Sequence, residues 1–255
     1  MADDPTARFA ALVARKDQPV PLDDALLLIA AHADPGLDLE HQRARLDALA
    51  AGVGPQSVEG LRTHLFGAER FTGDRTTYYD AQNSLLPAVL DRRQGIPITL
   101  AVVAMEVGRR CGVALEGIPM PGHFLVRPVG ETDRYLDVYD GGRLLDAAGC
   151  RAIFERVQVG MPWEDAYLRP SAPWSIVARV LANLAGAYRR AGNRRALCWA
   201  LELALLLPSA TDRERRELGL LLGASGRFDE GAIVLEASLE DRDHEAAARL
   251  RARLN

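Results

Sequence analysis

A histidine and an aspartate are the residues of this chain whose types and spacing best suit acid–base chemistry. His123 opens the apolar segment HFLVRP, and Asp137 lies within the next one, RYLDVY. If these segments form neighbouring antiparallel strands, side chains that share a face lie about 4.5–5.5 Å apart. A carboxylate at that distance bonds one imidazole nitrogen and leaves the other available as a base. The same spacing also fits a structural pair in a hydrophobic core, and spacing alone favours that plainer interpretation.

No cysteine occupies the position where such a pair would need a nucleophile. A thiol is activated best at a helix N-terminus, where the helix dipole lowers its pKa. The helix that is predicted to begin at Pro97 offers an isoleucine and then Thr99 at its start. Cys111 falls at the opposite end of that helix. Cys150 and Cys198 lie outside the segment from Tyr78 to Gly142 that contains these candidates, and we interpret them as small core residues.

Thr99 is the hydroxyl that could replace the thiol. Histidine-activated hydroxyls act as nucleophiles in other enzymes. A threonine in the first turn of a helix more often bonds the local backbone instead. Both interpretations stay open at this point.

Three further polar residues are candidates for binding. Asn83 and Ser84 follow Asp80 in a cluster of turn-forming residues, where they either wall a pocket or serve as turn and capping residues. Glu106 lies beside the apolar stripe of the helix that begins at Pro97. It is either a binding residue or a carboxylate that is solvated or paired with a nearby arginine, Arg109 or Arg110.

Metal binding by His123, Asp137 and Glu106 is a weaker hypothesis. The three residues show none of the HxxxH or CxxC spacings that are typical of metal sites. We therefore predict neither a metal nor a cofactor.

The elements around these residues predict an α+β fold. Apolar residues at helical spacing fill the N-terminal part, and the helix that begins at Pro97 ends near Gly112. Four short β-like segments separated by Pro-Gly, Gly-Glu-Thr-Asp and Asp-Gly-Gly turns follow it, and they predict a small antiparallel sheet.

The C-terminal part is again helical and shows an internal repeat. The segments from Val177 to Pro208 and from Asp212 to Arg242 align, with Tyr188 and Leu222 in equivalent positions 34 residues apart. That interval is the period of tetratricopeptide helix pairs, although unrelated helical hairpins can share it by chance. Two repeats are too few to stand alone, so we expect them to pack on the core.

Composition narrows the class of partner. The 255 residues are 48% hydrophobic and 26% charged, with a formal net charge of −4. This balance predicts no nucleic-acid or membrane-surface partner. Neither a membrane-spanning run nor a signal peptide is evident, and three dispersed cysteines favour a reducing cytoplasm. The oligomeric state stays open.

The combination of NSLLPAVLDRRQGIPITL, PGHFLVR and DVYDGG resembles the transglutaminase-like superfamily, and more closely its bacterial branch related to the SirB regulators. The resemblance implies a papain/transglutaminase-like core followed by tetratricopeptide-like repeats. In the superfamily a cysteine opens the helix, and a histidine and an aspartate follow. His123 and Asp137 match the last two, whereas the helix start near Pro97 holds no cysteine.

The sequence therefore predicts two domains and a function without catalysis. Residues 1–171 are the expected transglutaminase-like core with its N-terminal helices, and 172–255 are the expected repeats. The predicted role is a pseudoenzyme that acts as a regulatory scaffold and binds a protein or peptide partner. The alternative is a hydrolase or acyltransferase that uses His123 and Asp137 with Thr99 or water.

Overall fold

The chain, described here by a computed structural model over residues 4–15 and 20–254, divides into two compact units. One unit spans Pro19–Val180, and the other joins Leu181–Asn255 to Met1–Gln18. These units are defined by contacts within the structure. The predicted domains, 1–171 and 172–255, are a division into evolutionary modules, and they stay a prediction.

Within the described residues, five α-helices and a short parallel bridge precede the central helix. The helices are α1 (Pro5–Val13), α2 (Leu22–Ala33), α3 (Leu39–Ala51), α4 (Val58–Arg62) and α5 (Leu86–Arg92). A π-helical segment, Thr63–Ala68, continues α4. The bridge pairs β1 (Thr72–Gly73) with β2 (Gln94–Gly95) and thereby fixes both ends of the intervening chain.

The central helix of the Pro19–Val180 unit is α6 (Pro97–Arg110). Its first helical residue is Pro97, as the sequence predicts, because a proline there gives up no helical hydrogen bond. Most of its side chains are buried, since α2, α3 and α5 and strands of the sheet all contact it. Gly112, with φ of +79°, follows its C-cap residue Cys111.

A four-stranded antiparallel sheet follows α6 and confirms the predicted α+β class. Its strands are β3 (Leu115–Ile118), β4 (Leu125–Pro128), β5 (Tyr135–Asp137) and β6 (Arg143–Leu145), in that spatial order. The register pairs Val126 with Leu136. One detail differs from the prediction: His123 does not begin β4 but lies two residues before it, because the Pro-Gly turn extends further along the chain than its composition indicates.

Helix α7 (Ala147–Val157) packs against this sheet through a continuous apolar cluster. The fully or largely buried members of the cluster are Ile118, Met120, Leu125, Tyr135, Cys150, Ile153, Phe154 and Leu168. Burial of this cluster sets the position of α7 relative to the ends of β4 and β5.

The remaining helices are α8 (Pro173–Arg190), α9 (Arg194–Leu205), α10 (Asp212–Ala224), α11 (Phe228–Glu236) and α12 (Asp241–Arg251). Gly192 and Gly226 adopt φ of +67° and +82° after α8 and α10, where an L-residue would be strained. These are the turn glycines of the sequence repeat. The assignment of the helices to the tetratricopeptide class stays a prediction. No helix in the described ranges is long and apolar enough to cross a bilayer.

Candidate functional site

His123 and Asp137 form a hydrogen-bonded pair at the end of the sheet. His123 Nε2 lies 2.9 Å from Asp137 Oδ1, and both side chains are almost fully buried. An ionised carboxylate only accepts hydrogen bonds, so Nε2 carries the proton and donates it. Nδ1 has no hydrogen-bond partner among residues 4–15 and 20–254, which leaves it available to a ligand.

The backbone around His123 is held from two directions. Gly122 precedes it with φ of +74°, and a Cβ there would lie 2.5 Å from atoms of both Val157 and Gln158. Arg179 of α8 donates from Nη2 to the His123 carbonyl over 2.9 Å and lies over the ring of Phe124. The imidazole is therefore positioned by a turn that accepts only glycine and by a cation on a neighbouring helix.

Asp137 is held by the three-residue turn that follows β5. Besides the bond from His123, its Oδ1 accepts the backbone N–H groups of Tyr139 and Asp140, at 3.1 and 3.2 Å. Burial alone would raise the pKa of Asp137, but the hydrogen bond and electrostatic interaction with His123 and these two N–H groups hold the pKa below its usual value. The carboxylate therefore stays ionised and fixes the imidazole tautomer.

The pair lies in the wall of an open cleft of about 560 Å³. Helix α7 supplies Ile153, Arg156 and Val157, and the start of α6 supplies Pro97. We call this space, with His123 in its wall, the cleft.

A loop between β1 and α5 and the turn after β5 complete the cleft. The loop contributes Arg75, Tyr78 and Tyr79, and the turn contributes Tyr139 and Asp140. The ring of Tyr139 meets both Tyr78 and His123 edge-on, at centroid distances of 6.1 and 6.0 Å. Tyr139 is thus in contact with the imidazole and with Tyr78, which in turn meets Tyr79 edge-on at 5.2 Å.

The helix start that faces the cleft offers no nucleophile. Pro97 alone of the first three residues of α6 lines the cleft, and its ring is saturated carbon. Thr99 is fully buried and absent from the cleft lining, and its Oγ1 has no hydrogen-bond partner in the described part of the chain. The geometry therefore does not bring the Thr99 hydroxyl together with the His123 and Asp137 pair.

The cysteines do not supply the missing group either. Burial raises the pKa of Cys150 to about 12, with a further contribution from Asp146 and Asp137, so this thiol stays protonated. Burial likewise raises the pKa of Cys198 to about 11. Cys111 is buried at the C-terminal end of α6, opposite Pro97.

Asn83 and Ser84 lie behind the cleft rather than in its lining. The Asn83 amide donates to Asp74 Oδ2 over 3.0 Å and to the Thr77 carbonyl over 2.7 Å, and it accepts from Arg92 over 2.6 Å. These bonds fold the loop that carries the cleft tyrosines. Ser84 is buried beside Asn83.

Glu106 belongs to a separate ion-pair cluster. It accepts from Arg109 and Arg110 over 2.8 and 2.7 Å, and Arg110 also pairs with Asp23. Burial raises the pKa of Glu106, the neighbouring Asp23 raises it further, and the two arginines oppose both effects. No group of three potential metal ligands occurs among the described residues, so Glu106 does not join the histidine and aspartate.

Several cleft residues have no counterpart among the candidates named from sequence. Arg75, Tyr139 and Arg156 approach the cleft from three different elements. Tyr139 could have been found, because it lies two positions after Asp137 in the DVYDGG segment. The arginines carry no sequence signal that distinguishes them from the many other arginines of the chain.

Comparison with known proteins places this geometry in a family. A family model described as the transglutaminase-like superfamily matches residues 31–182. A UPF0162 protein of Xylella fastidiosa is 34% identical over 230 residues, which cover 81% of this chain and 80% of that protein. A UPF0162 protein of Pseudomonas aeruginosa is 34% identical over 196 residues, covering 73% and 72%.

A shorter match extends to a eukaryotic protein. F-box only protein 21 of the mouse is 37% identical over 86 residues, which are 33% of this chain and 14% of that protein. No solved structure gives a significant match. The family model covers more than half of the chain, and the histidine and aspartate of the cleft lie within the matched range. The chain belongs to the transglutaminase-like superfamily.

Proposed function

We propose that this protein is a non-catalytic member of its superfamily, a pseudoenzyme, and that its cleft binds a segment of a partner protein in a regulatory scaffold. The observation that carries the proposal is Pro97. It lines the cleft at the start of α6, where a nucleophile would benefit from the helix dipole, and it has no reactive group. The retained His123 and Asp137 then serve recognition rather than bond cleavage.

The side chains of the cleft support binding. Tyrosine and arginine are enriched in the central parts of protein interfaces, and three tyrosines and two arginines line this cleft. Val157 and Tyr79 are 44% and 61% exposed at the cleft, so apolar surface is available to a partner.

Photo-crosslinking from the cleft tests this proposal. Val157 is replaced by the photoreactive benzoylphenylalanine in the full chain inside bacterial cells. Val129, which is 58% exposed and does not line the cleft, receives the same substitution as the control. We expect one protein to crosslink from position 157 and not from position 129. Recovery of chaperones alone, or identical products from both positions, would contradict the proposal.

A hydrolase or acyltransferase is the second candidate, and one observation favours it. His123 keeps the bond to Asp137 that fixes its tautomer, and its Nδ1 has no partner in the described ranges. Nδ1 could therefore activate a bound water molecule. Thr99 fits this role less well because its hydroxyl is buried away from the cleft lining.

A panel of amide and ester substrates separates the two candidates. Wild type and His123→Ala are compared at equal concentrations, with Asp80→Ala as a variant outside the cleft lining. The binding proposal predicts equal background rates for all three proteins. Turnover that disappears only in His123→Ala would establish the enzyme instead.

We also propose the finer assignments that the sequence suggests. The 34-residue interval from Tyr188 to Leu222, each followed by a glycine of positive φ, supports tetratricopeptide-like repeats and the SirB-regulator-like branch. Three free cysteines support a cytoplasmic location. The proposed domains are 1–171 and 172–255.

A further inference from the structure

The cleft contains an arginine without an ionic partner. Arg156 lies in the last turn of α7, is exposed and lines the cleft. It forms no ion pair or hydrogen bond with any of residues 4–15 or 20–254. By contrast, Arg151, five residues earlier on the same helix, pairs with Glu155 over 2.8 Å. Arg156 is therefore a guanidinium that a ligand can engage without breaking an existing pair.

The carboxylates of the cleft do not neutralise Arg156. Asp137 is buried and accepts three hydrogen bonds, from His123 and from two backbone N–H groups. Asp140 pairs with Arg75 over 2.7 Å and with Arg143 over 3.5 Å. The acidic groups of the lining are thus occupied by other donors.

Two further charges lie close behind the lining. Asp74 is buried, and its side chain is bonded to Thr77 and Asn83 within the loop. Arg179 has no carboxylate partner among the described residues, and its positive charge lowers the pKa of Tyr78 in the cleft, although burial of Tyr78 raises that pKa more strongly. The free charge that a ligand meets at this cleft is positive.

Apolar surface adjoins this positive charge. Val157 follows Arg156 and lines the cleft. Val159 and Met161, in the segment just after α7, are 87% and 45% exposed. Tyr78 and Tyr79 stand on the loop that forms another wall. A ligand that fits must therefore combine a negative group with apolar side chains, which a short peptide segment does and inorganic phosphate does not.

We propose that the cleft recognises an extended segment of a partner protein in which an aspartate or glutamate neighbours an aromatic or aliphatic residue. The carboxylate binds the Arg156 guanidinium, whose fork of donors matches a carboxylate in two parallel hydrogen bonds. The apolar residue packs between Val157 and the cleft tyrosines. This inference rests on the proposed binding function and specifies its partner.

Peptide selection tests the inference. Phage that display short random peptides are selected on the full-length protein, and one selected peptide is synthesised together with a version in which its acidic residue is amidated. Affinities are then measured for wild type, Arg156→Gln and Arg151→Gln. Arg151→Gln removes the same charge from the same helix outside the cleft lining, so it controls for net charge.

We expect selected peptides to share an acidic residue beside an apolar one. Arg156→Gln and the amidated peptide should each weaken binding by about tenfold or more. The amidated peptide should bind Arg156→Gln no more weakly than either single change predicts, because both changes remove the same contact. Arg151→Gln should leave the affinity within about twofold of wild type. One outcome would overturn this inference and leave the binding function standing. In that outcome the selected peptides have no acidic residue, bind Arg156→Gln as tightly as wild type, and bind Val157→Asp much more weakly. Peptides that bind equally well to Val157→Asp would count against both.

Discussion

At the scale of single residues, His123 and Asp137 form a buried hydrogen-bonded pair in the wall of the cleft. Asp137 accepts one bond from the imidazole and two from the backbone, and its pKa lies below the usual value. A group of this kind stabilises the folded state above its unfolded pKa of about 3.9, and this contribution is lost as the pH falls through the lower folded value. The pair is therefore a structural support, in addition to the recognition role that the proposed function gives it.

Asp137→Asn should lower the free energy of unfolding by about 2 kcal/mol at pH 7, because bonds to a buried charge are lost. The difference from wild type should shrink as the pH falls below about 4, where the wild-type carboxyl protonates in the unfolded chain and then in the folded one. Urea unfolding of both proteins at a series of pH values measures this difference in the free energy of unfolding. Asp133→Asn, at an exposed position, is the control. An equal difference at pH 3 and pH 7 would contradict the assignment.

The sequence predicted this pair better than it predicted the rest of the cleft. His123 and Asp137 could be matched because they lie in short segments with strong turn and strand signals. Glu106 and Asn83 were candidates because of their residue types, yet their partners are arginines and loop atoms that only the fold brings near. Arg156 had no signal at all, because an unpaired arginine is recognisable only when its surroundings are known.

At the scale of elements, the turn before β4 positions the imidazole. Periodicity correctly predicted the start of α6 and the four strands, since both depend on local apolar patterns. It placed His123 in β4 by mistake, because where a turn ends depends on contacts that are distant in sequence. Here these contacts are Val157 and Gln158 of α7 and its C-cap, which lie against Gly122.

Gly122→Ala should destabilise the fold by about 2–3 kcal/mol, because a Cβ adds a clash with Val157 and Gln158 to the strain of a positive φ. Gly130→Ala is the matched control, since Gly130 has φ of +88° but nothing within 4 Å of the added Cβ. It should cost only the backbone strain, about 1 kcal/mol. Equal midpoints of chemical unfolding for the two variants would show that α7 does not hold the turn.

At the scale of the whole molecule, the chain combines a superfamily core with a helical C-terminal part. His123, Asp137 and Pro97 all line its cleft, and under the proposed function the first two are what remains of a catalytic set whose third position is Pro97. The three native thiols offer no substitute, because they are buried or have a raised pKa. Family membership follows from the sequence, whereas the residues that meet in the cleft depend on how distant segments fold together.

The claim that the cleft lacks only a nucleophile is tested most directly by the alkylation rate of a thiol placed at the start of α6 by Pro97→Cys. The helix dipole and His123 should lower the pKa of this thiol below the usual value of about 8.5. At pH 6.5 we expect iodoacetamide to modify it at least about tenfold faster than it modifies glutathione, and the native cysteines to react far more slowly. In Pro97→Cys combined with His123→Ala this advantage should fall. The double variant should also unfold at a lower midpoint, because it loses the bond to Asp137, so circular dichroism checks that both variants are folded at the assay temperature. A rate no greater than that of glutathione, or one unaffected by His123→Ala, would contradict the claim that the cleft is a catalytic site lacking only its nucleophile.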